Sequence, residues 1–192
     1  MHKPEVARSE LILGAPASGK SQRVLALVDS WQRTSPVHRA VYIDTATSWD
    51  AEMRAFVDRQ HALAGAGARV RVEQPVELAH ALGVHSRPDT LVVVDGLTFW
   101  LTATLMQALA PDGTDAWEAA PRPPVRLADA VRACAGPLVL VSSRLATSLA
   151  GRPADLRSIT DTLDDVDQQA VEACERVTLM SAGTSLTLKE PL

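Results

Sequence analysis

Residues 14–21, Gly14-Ala-Pro-Ala-Ser-Gly-Lys20-Ser21, fit the pattern G-x-x-x-x-G-K-[ST]. That pattern constrains the fold because it works only as the joint between a β-strand and an α-helix. The flanks comply. Glu10-Leu-Ile-Leu-Gly14 is a short apolar strand, and from Gly19 to about Trp31 the apolar residues Val24, Leu25, Leu27, Val28 and Trp31 recur at helical spacing. Gly14 and Gly19 let the backbone bend so that successive N–H groups converge on one concavity, to which the following helix adds its positive end. Lys20 offers a charge to the outer phosphates of a nucleotide, and the Ser21 hydroxyl is the expected Mg²⁺ ligand. Pro16 removes one N–H early in the loop and presets its own φ. The whole run of Gly14, Ala15, Pro16, Ala17, Ser18, Gly19, Lys20 and Ser21 is therefore the expected seat of a nucleoside triphosphate. The competing reading is a glycine-rich turn that merely caps a strand.

The rest of the chain repeats the strand-then-helix alternation. Ala40-Val-Tyr-Ile43 reads as a second buried strand, and a helix from about Asp50 brings Met53, Phe56, Val57 and His61 near one face before Gly65 and Gly67 stop it. Arg69–Glu73 alternates like a strand, and Pro75 opens a short helix to about Leu82. Leu91-Val-Val-Val94 lacks polar alternation, as a strand covered on both faces does. Asp95 at its end is placed to hold Mg²⁺ beside the loop, or simply to cap the apolar helix Leu97–Leu109. Pro111–Pro124 reads as a long loop. A helix at about Val125–Ala135, a strand Pro137–Val141, a helix Ile159–Cys174, and a hairpin of Val177–Ser181 and Leu186–Lys189 around a Gly183-Thr184 turn complete the chain. Since parallel strands need crossovers, this order predicts an α/β, P-loop NTPase-like, mainly parallel β-sheet with helices on both faces and a C-terminal antiparallel hairpin.

Composition excludes several classes. The chain has 192 residues, suited to a single domain. Its 46% hydrophobic and 22% charged residues are those of an ordinary globular protein. A net charge of −4 argues against nucleic acid as a partner. No apolar run is long enough for a membrane span, and the polar N-terminus does not read as a secretory signal. Cys134 and Cys174 stand far apart in helix-like segments, as small buried residues of a reducing compartment, so a cytoplasmic location is expected. The acids Asp161, Asp164, Asp165 and Asp167 are expected to suit the first turns of a helix rather than to bind metal. His38, His80 and His85 read as solvated.

Several segments carry a resemblance to a known family. They are Tyr42-Ile-Asp-Thr45-Ala-Thr-Ser-Trp-Asp50-Ala-Glu52-Met53 with His61, then Val72-Glu73-Gln-Pro-Val-Glu-Leu78, then Asp95-Gly-Leu-Thr98-Phe-Trp100-Leu101, together with Val166-Asp167-Gln168 and the final hairpin. From Leu11 to Lys189 the chain resembles the bifunctional adenosylcobinamide kinase / adenosylcobinamide-phosphate guanylyltransferase family of cobalamin biosynthesis. The resemblance implies an enzyme, usually a homo-oligomer, that uses GTP or ATP with Mg²⁺ and a corrinoid substrate. It would phosphorylate adenosylcobinamide and then transfer GMP from GTP through a GMP-histidine intermediate. It further implies nucleotide contacts from Ile43, Asp44 and Thr45, acidic contacts from Glu73 and Asp95 to GTP or its metal, and His61 as the GMP carrier. A neutral imidazole is a good nucleophile near neutral pH, and its phosphoramidate is a labile donor. The chain departs from the family pattern at Gln60, where the family places its histidine, and at Ala103, Ser143-Arg144, Thr160 and Asp167. Two other functions fit the residues: a kinase limited to phosphoryl transfer, and a nucleotide-binding regulatory subunit without catalysis.

Overall fold

The computed structural model describes residues 4–45, 69–73, 78–98, 100–101, 127–143 and 154–191; for residues 44, 69–73 and 154–163 it gives the course of the backbone only. The elements in chain order are β1 (Ser9–Gly14), α1 (Lys20–Thr34), β2 (Arg39–Asp44), β3 (Arg69–Glu73), α2 (Leu78–His85), β4 (Thr90–Asp95), α3 (Leu127–Ala133), β5 (Leu138–Ser143), α4 (Ala154–Ala173), β6 (Arg176–Ser181) and β7 (Thr184–Lys189). A helical segment also begins at Leu97, directly after β4. Seven strands form one sheet in the order β3-β2-β4-β5-β1-β6-β7. All pairs are parallel except β6 with β7.

The continuous apolar strands are explained by what covers them. Leu11, Leu13, Val92, Val94, Leu138 and Leu140 face one cluster with residues of α2, α3 and α4, while Ile12, Leu91, Val93, Val139 and Val141 face another with Val24, Leu27 and Val28 of α1. A strand buried on both faces has no polar side to alternate with.

A charged residue of β1 breaks that rule. Glu10 of β1 is 1% exposed, yet its carboxylate accepts hydrogen bonds from Arg23 of α1 (3.0 and 3.2 Å) and from the Thr178 hydroxyl of β6 (2.8 Å), with the Arg176 guanidinium 3.8 Å away. Burial of such a charge is tolerated only when it is paired and hydrogen-bonded. The network ties α1 and β6 to the strand that enters the loop.

Three sequence expectations shift. The last helix begins at Ala154 rather than Ile159, directly after Pro153, a residue suited to a helix start. Asp164, Asp165 and Asp167 therefore lie beyond its midpoint and not in its first turns; Asp164 and Asp165 are exposed there. The helix expected from Pro75 starts at Leu78, with 74–77 outside the described residues. The hairpin turns at Ala182-Gly183, both with positive φ (47° and 77°), the sign pattern of a type I′ turn, so Thr184 already belongs to β7. Cys134 and Cys174 follow helix ends and are buried and free. The helix from Asp50, the loop 111–124 and most of Leu97–Leu109 lie outside the described residues.

Candidate functional site: the glycine-bounded loop after β1

β1 ends at Gly14, pairs there with Ser143 of β5 and Met180 of β6, and hands over to α1 through residues 15–19. The loop closes on itself through the Ser18 N–H, which donates to the Ala15 carbonyl (3.2 Å). Gly19, at φ 102°, caps α1, and no side chain caps the helix or places an acid in its first turn. The first-turn amides of α1 thus keep their affinity for an anion.

The two loop glycines suit the close approach of phosphate. The structure adds a second cause, the approach of the C-terminal hairpin. A Cβ on Gly14 would sit 2.6 Å from the Met180 carbonyl oxygen, and one on Gly19 would sit 3.1 Å from Gly183 Cα and 3.3 Å from Met180 Cε.

Lys20 is largely buried, and its Nζ donates to the Gly14 and Ala15 carbonyls (both 2.8 Å). An ammonium has three protons, so the third is left for a ligand. Burial lowers the Lys20 pKa, and the Asp95 carboxylate pulls it back up. Asp95 is exposed at the end of β4. Strand alternation after Val93 puts it on the α1 side of the sheet, as its influence on Lys20 requires.

Thr45 follows β2 and is buried; its hydroxyl donates to the carbonyls of Asp95 (2.9 Å) and Gly96 (2.6 Å). Its only proton is spent within the protein, so this side chain acts on the backbone that carries Asp95. Thr98 repeats the device one strand over, donating to the Ser143 carbonyl (2.9 Å) and lying 3.3 Å from the Ser142 hydroxyl. The Gly96 N–H donates to the Val141 carbonyl (3.2 Å). Two threonines therefore stitch the ends of β2, β4 and β5 together.

The expected site residues divide as follows. Gly14–Ser21, Thr45 and Asp95 converge at the C-terminal edge of the sheet, where parallel α/β proteins bind ligands. Ile43 is fully buried within β2, so only its backbone belongs to that edge. The backbones of Asp44 and Glu73 reach the same edge, in register with each other and, through Asp44, with Asp95. His61 lies outside the described residues. The Ser21 hydroxyl and Asp95 carboxylate are hard oxygen donors, both on exposed residues at this edge, and so fit a divalent cation. Among the described residues no cluster of three or more His, Cys, Asp or Glu could hold a metal ion. Also among those residues, no helix is long and apolar enough to cross a membrane.

A parallel sheet whose first strand runs through a glycine-bounded loop into a lysine-bearing helix defines a P-loop-type α/β protein. The chain belongs to the cobinamide kinase / cobinamide phosphate guanyltransferase family, whose model matches residues 10–188. It is similar to the bifunctional adenosylcobalamin biosynthesis protein CobP of Pseudomonas aeruginosa, with 31% identity over 185 residues, 95% of this chain and 99% of that one. A solved structure from Pyrococcus horikoshii OT3 superposes with a TM-score of 0.51 over 98% of this chain and 89% of its own, at 11% identity, and bears on the fold alone.

Proposed function

We propose that this chain, acting as one nucleotide-binding unit, performs both transfers of its family in adenosylcobalamin biosynthesis. In the first, the aminopropanol hydroxyl of adenosylcobinamide attacks the γ-phosphorus of a nucleoside triphosphate; the bond to the bridging oxygen breaks and the diphosphate leaves. In the second, an imidazole nitrogen of His61 attacks the α-phosphorus of GTP and expels pyrophosphate. The phosphate oxygen of adenosylcobinamide phosphate then attacks the same phosphorus, the P–N bond breaks, and adenosyl-GDP-cobinamide forms. Two in-line displacements return the configuration at phosphorus to its starting sense.

One observation carries this reading: the Lys20 ammonium arches over the loop at the uncapped start of α1 with one proton uncommitted and Asp95 close enough to act on it. Such an arrangement stabilises charge that builds on transferring phosphoryl oxygens. The loop amides orient the polyphosphate, and Thr45 holds the backbone of Asp95 still. A Mg²⁺ ion held by Ser21 and Asp95 would neutralise phosphate charge. Ile43, Asp44 and Glu73 are assigned to the nucleoside side of the site by their place at the same sheet edge. The working state is assigned as a homo-oligomer.

Incubation with α-labelled GTP tests the assignment. Acid-labile label on the protein, lost in His61→Ala while cobinamide-dependent conversion of GTP to labelled GDP persists, is the expected result. No protein label with intact cobinamide-dependent formation of GDP would leave a kinase only. Absence of both activities despite tight nucleotide binding would leave a binding subunit.

A further inference from the structure

The final hairpin touches the loop through one hydrogen bond of particular geometry: the Gly183 N–H donates to the Ser18 carbonyl (2.9 Å). The peptide between Ser18 and Gly19 is a planar trans unit, so its C=O and N–H point in opposite directions. Holding the Ser18 carbonyl toward the hairpin therefore turns the Gly19 N–H away from it, toward the concavity that α1 opens on. Little else fixes this peptide. The Ser18 hydroxyl is buried without a hydrogen-bond partner, and the Ser18 N–H is engaged on the preceding peptide.

Packing supports the same contact independently. Met180 crowds the Cβ positions of both loop glycines, and Gly183 that of Gly19. The turn itself is preset, since the positive φ values of Ala182 and Gly183 aim the Gly183 N–H outward from the hairpin end. The loop is thus backed by a rigid two-strand element rather than by solvent.

We propose that Gly183 is a positioning residue for nucleotide binding: its main-chain amide presets the Ser18–Gly19 peptide so that the Gly19 N–H faces the incoming polyphosphate. This rests on the reading of residues 14–21 as a triphosphate site. It differs from that reading in assigning part of the binding energy to a backbone group outside the motif.

The test exploits Cys174. A synthetic Cys174–Leu192 peptide is ligated at that cysteine to the remainder of the chain, with glycolic acid in place of Gly183. The Ala182–Gly183 amide becomes an ester, which deletes the N–H and adds no side chain. Against an all-amide ligated control, the Kd for Mg·GTP is expected to rise about tenfold or more, the scale of one hydrogen bond serving a charged group. The Kd for guanosine should stay unchanged, a split that general loosening of the fold would not produce. An unchanged Mg·GTP Kd overturns the proposal. Should the ester protein not refold, Gly183→Asn, which keeps the N–H and tolerates positive φ, and N-methylglycine at 183 in the same synthetic peptide, which lacks the N–H yet is free to take positive φ, decide the matter. Asn near the wild-type Kd with N-methylglycine at least tenfold weaker supports the proposal, and equal affinities of the two overturn it. Lys20→Ala is measured alongside. If it too leaves the Mg·GTP Kd unchanged, the triphosphate site itself is misplaced; if it alone weakens binding, only the role of Gly183 falls.

Discussion

The two ends of the sheet treat their polar groups differently. At the end where β1, β2, β4, β5 and β6 begin, most polar groups spend their hydrogen bonds within the protein, and Glu10 Oε2 and Arg176 Nε, which lack hydrogen bonds, face opposite charge. Ser86 Oγ accepts from the Ala135 and Gly136 N–H groups (2.7 and 3.2 Å), and Ser9 Oγ accepts from the Glu175 N–H (3.0 Å). Trp31 Nε1 donates to the Arg39 carbonyl, and Lys189 Nζ donates to the carbonyls of Val171, Glu172 and Cys174, closing the end of α4. His38, expected to be solvated, stacks on Trp31 with ring centroids 3.6 Å apart. At the opposite end Lys20 has a proton in hand, the Ser18 hydroxyl has no hydrogen-bond partner, α1 has no side-chain cap and Asp95 is exposed. One end uses its polar groups for stability, and the other holds capacity for a ligand. Changes at the two ends should therefore separate affinity from folding.

Lys20→Ala should show the largest effect on binding, a loss of about 10²-fold in triphosphate affinity by calorimetry, since a charged contact and its pull on phosphate both go. Its melting temperature should stay within a few degrees of wild type, because burial of the ammonium disfavours the charged form in the folded state. A collapse of the melting temperature would break the contrast between the ends. Next comes Glu10→Ala, which strands Arg176 and Arg23 beside a vacated carboxylate. Removing one partner of a buried charge network costs about 3–5 kcal/mol, to be read from urea unfolding, while triphosphate affinity of the folded protein stays within about twofold.

Ser86→Ala leaves two backbone N–H groups without their acceptor. It should cost about 1–3 kcal/mol in stability with turnover unchanged, and a fall in turnover would show that the two ends communicate. The smallest effect concerns pH. Burial pushes the Cys174 thiol up from 9.0 to about 12, with Lys189 opposing the shift. A folded-state pKa above the unfolded value gives stability that is complete below pH 9.0 and is lost as pH climbs toward 12. Urea midpoints at pH 8 and pH 10.5 should therefore converge in Cys174→Ala relative to wild type.

Local rules made much of this legible from residues alone. The strand–loop–helix of residues 9–34, the apolar strands β2, β4 and β5 and the closing hairpin follow from periodicity and the glycine–lysine pattern. The start of α4 did not, although Pro153 marks it, because the apolar spacing from Ile159 onward was the stronger signal. The structural roles of Thr98 and Glu10 are not legible in the sequence, for another reason. Each is a single polar residue whose partners, Ser142 and Ser143 or Arg23, Arg176 and Thr178, are brought to it only by the strand order. A lone acid at the head of the apolar run Leu11–Leu13 is the available clue. The sequence places Thr45 at the site as a nucleotide contact, and only the structure shows its hydroxyl proton committed to the backbone of 95 and 96.

The strand order has one more consequence. β1 is made early yet lies between β5 and β6, and the Ser18 carbonyl finds its partner only in the turn after β6. The nucleotide socket therefore stays unbraced until residue 183 is free to fold back onto it. A chain that lacks the final hairpin is left with one edge of the apolar strand β1 unpaired, an exposure that favours aggregation.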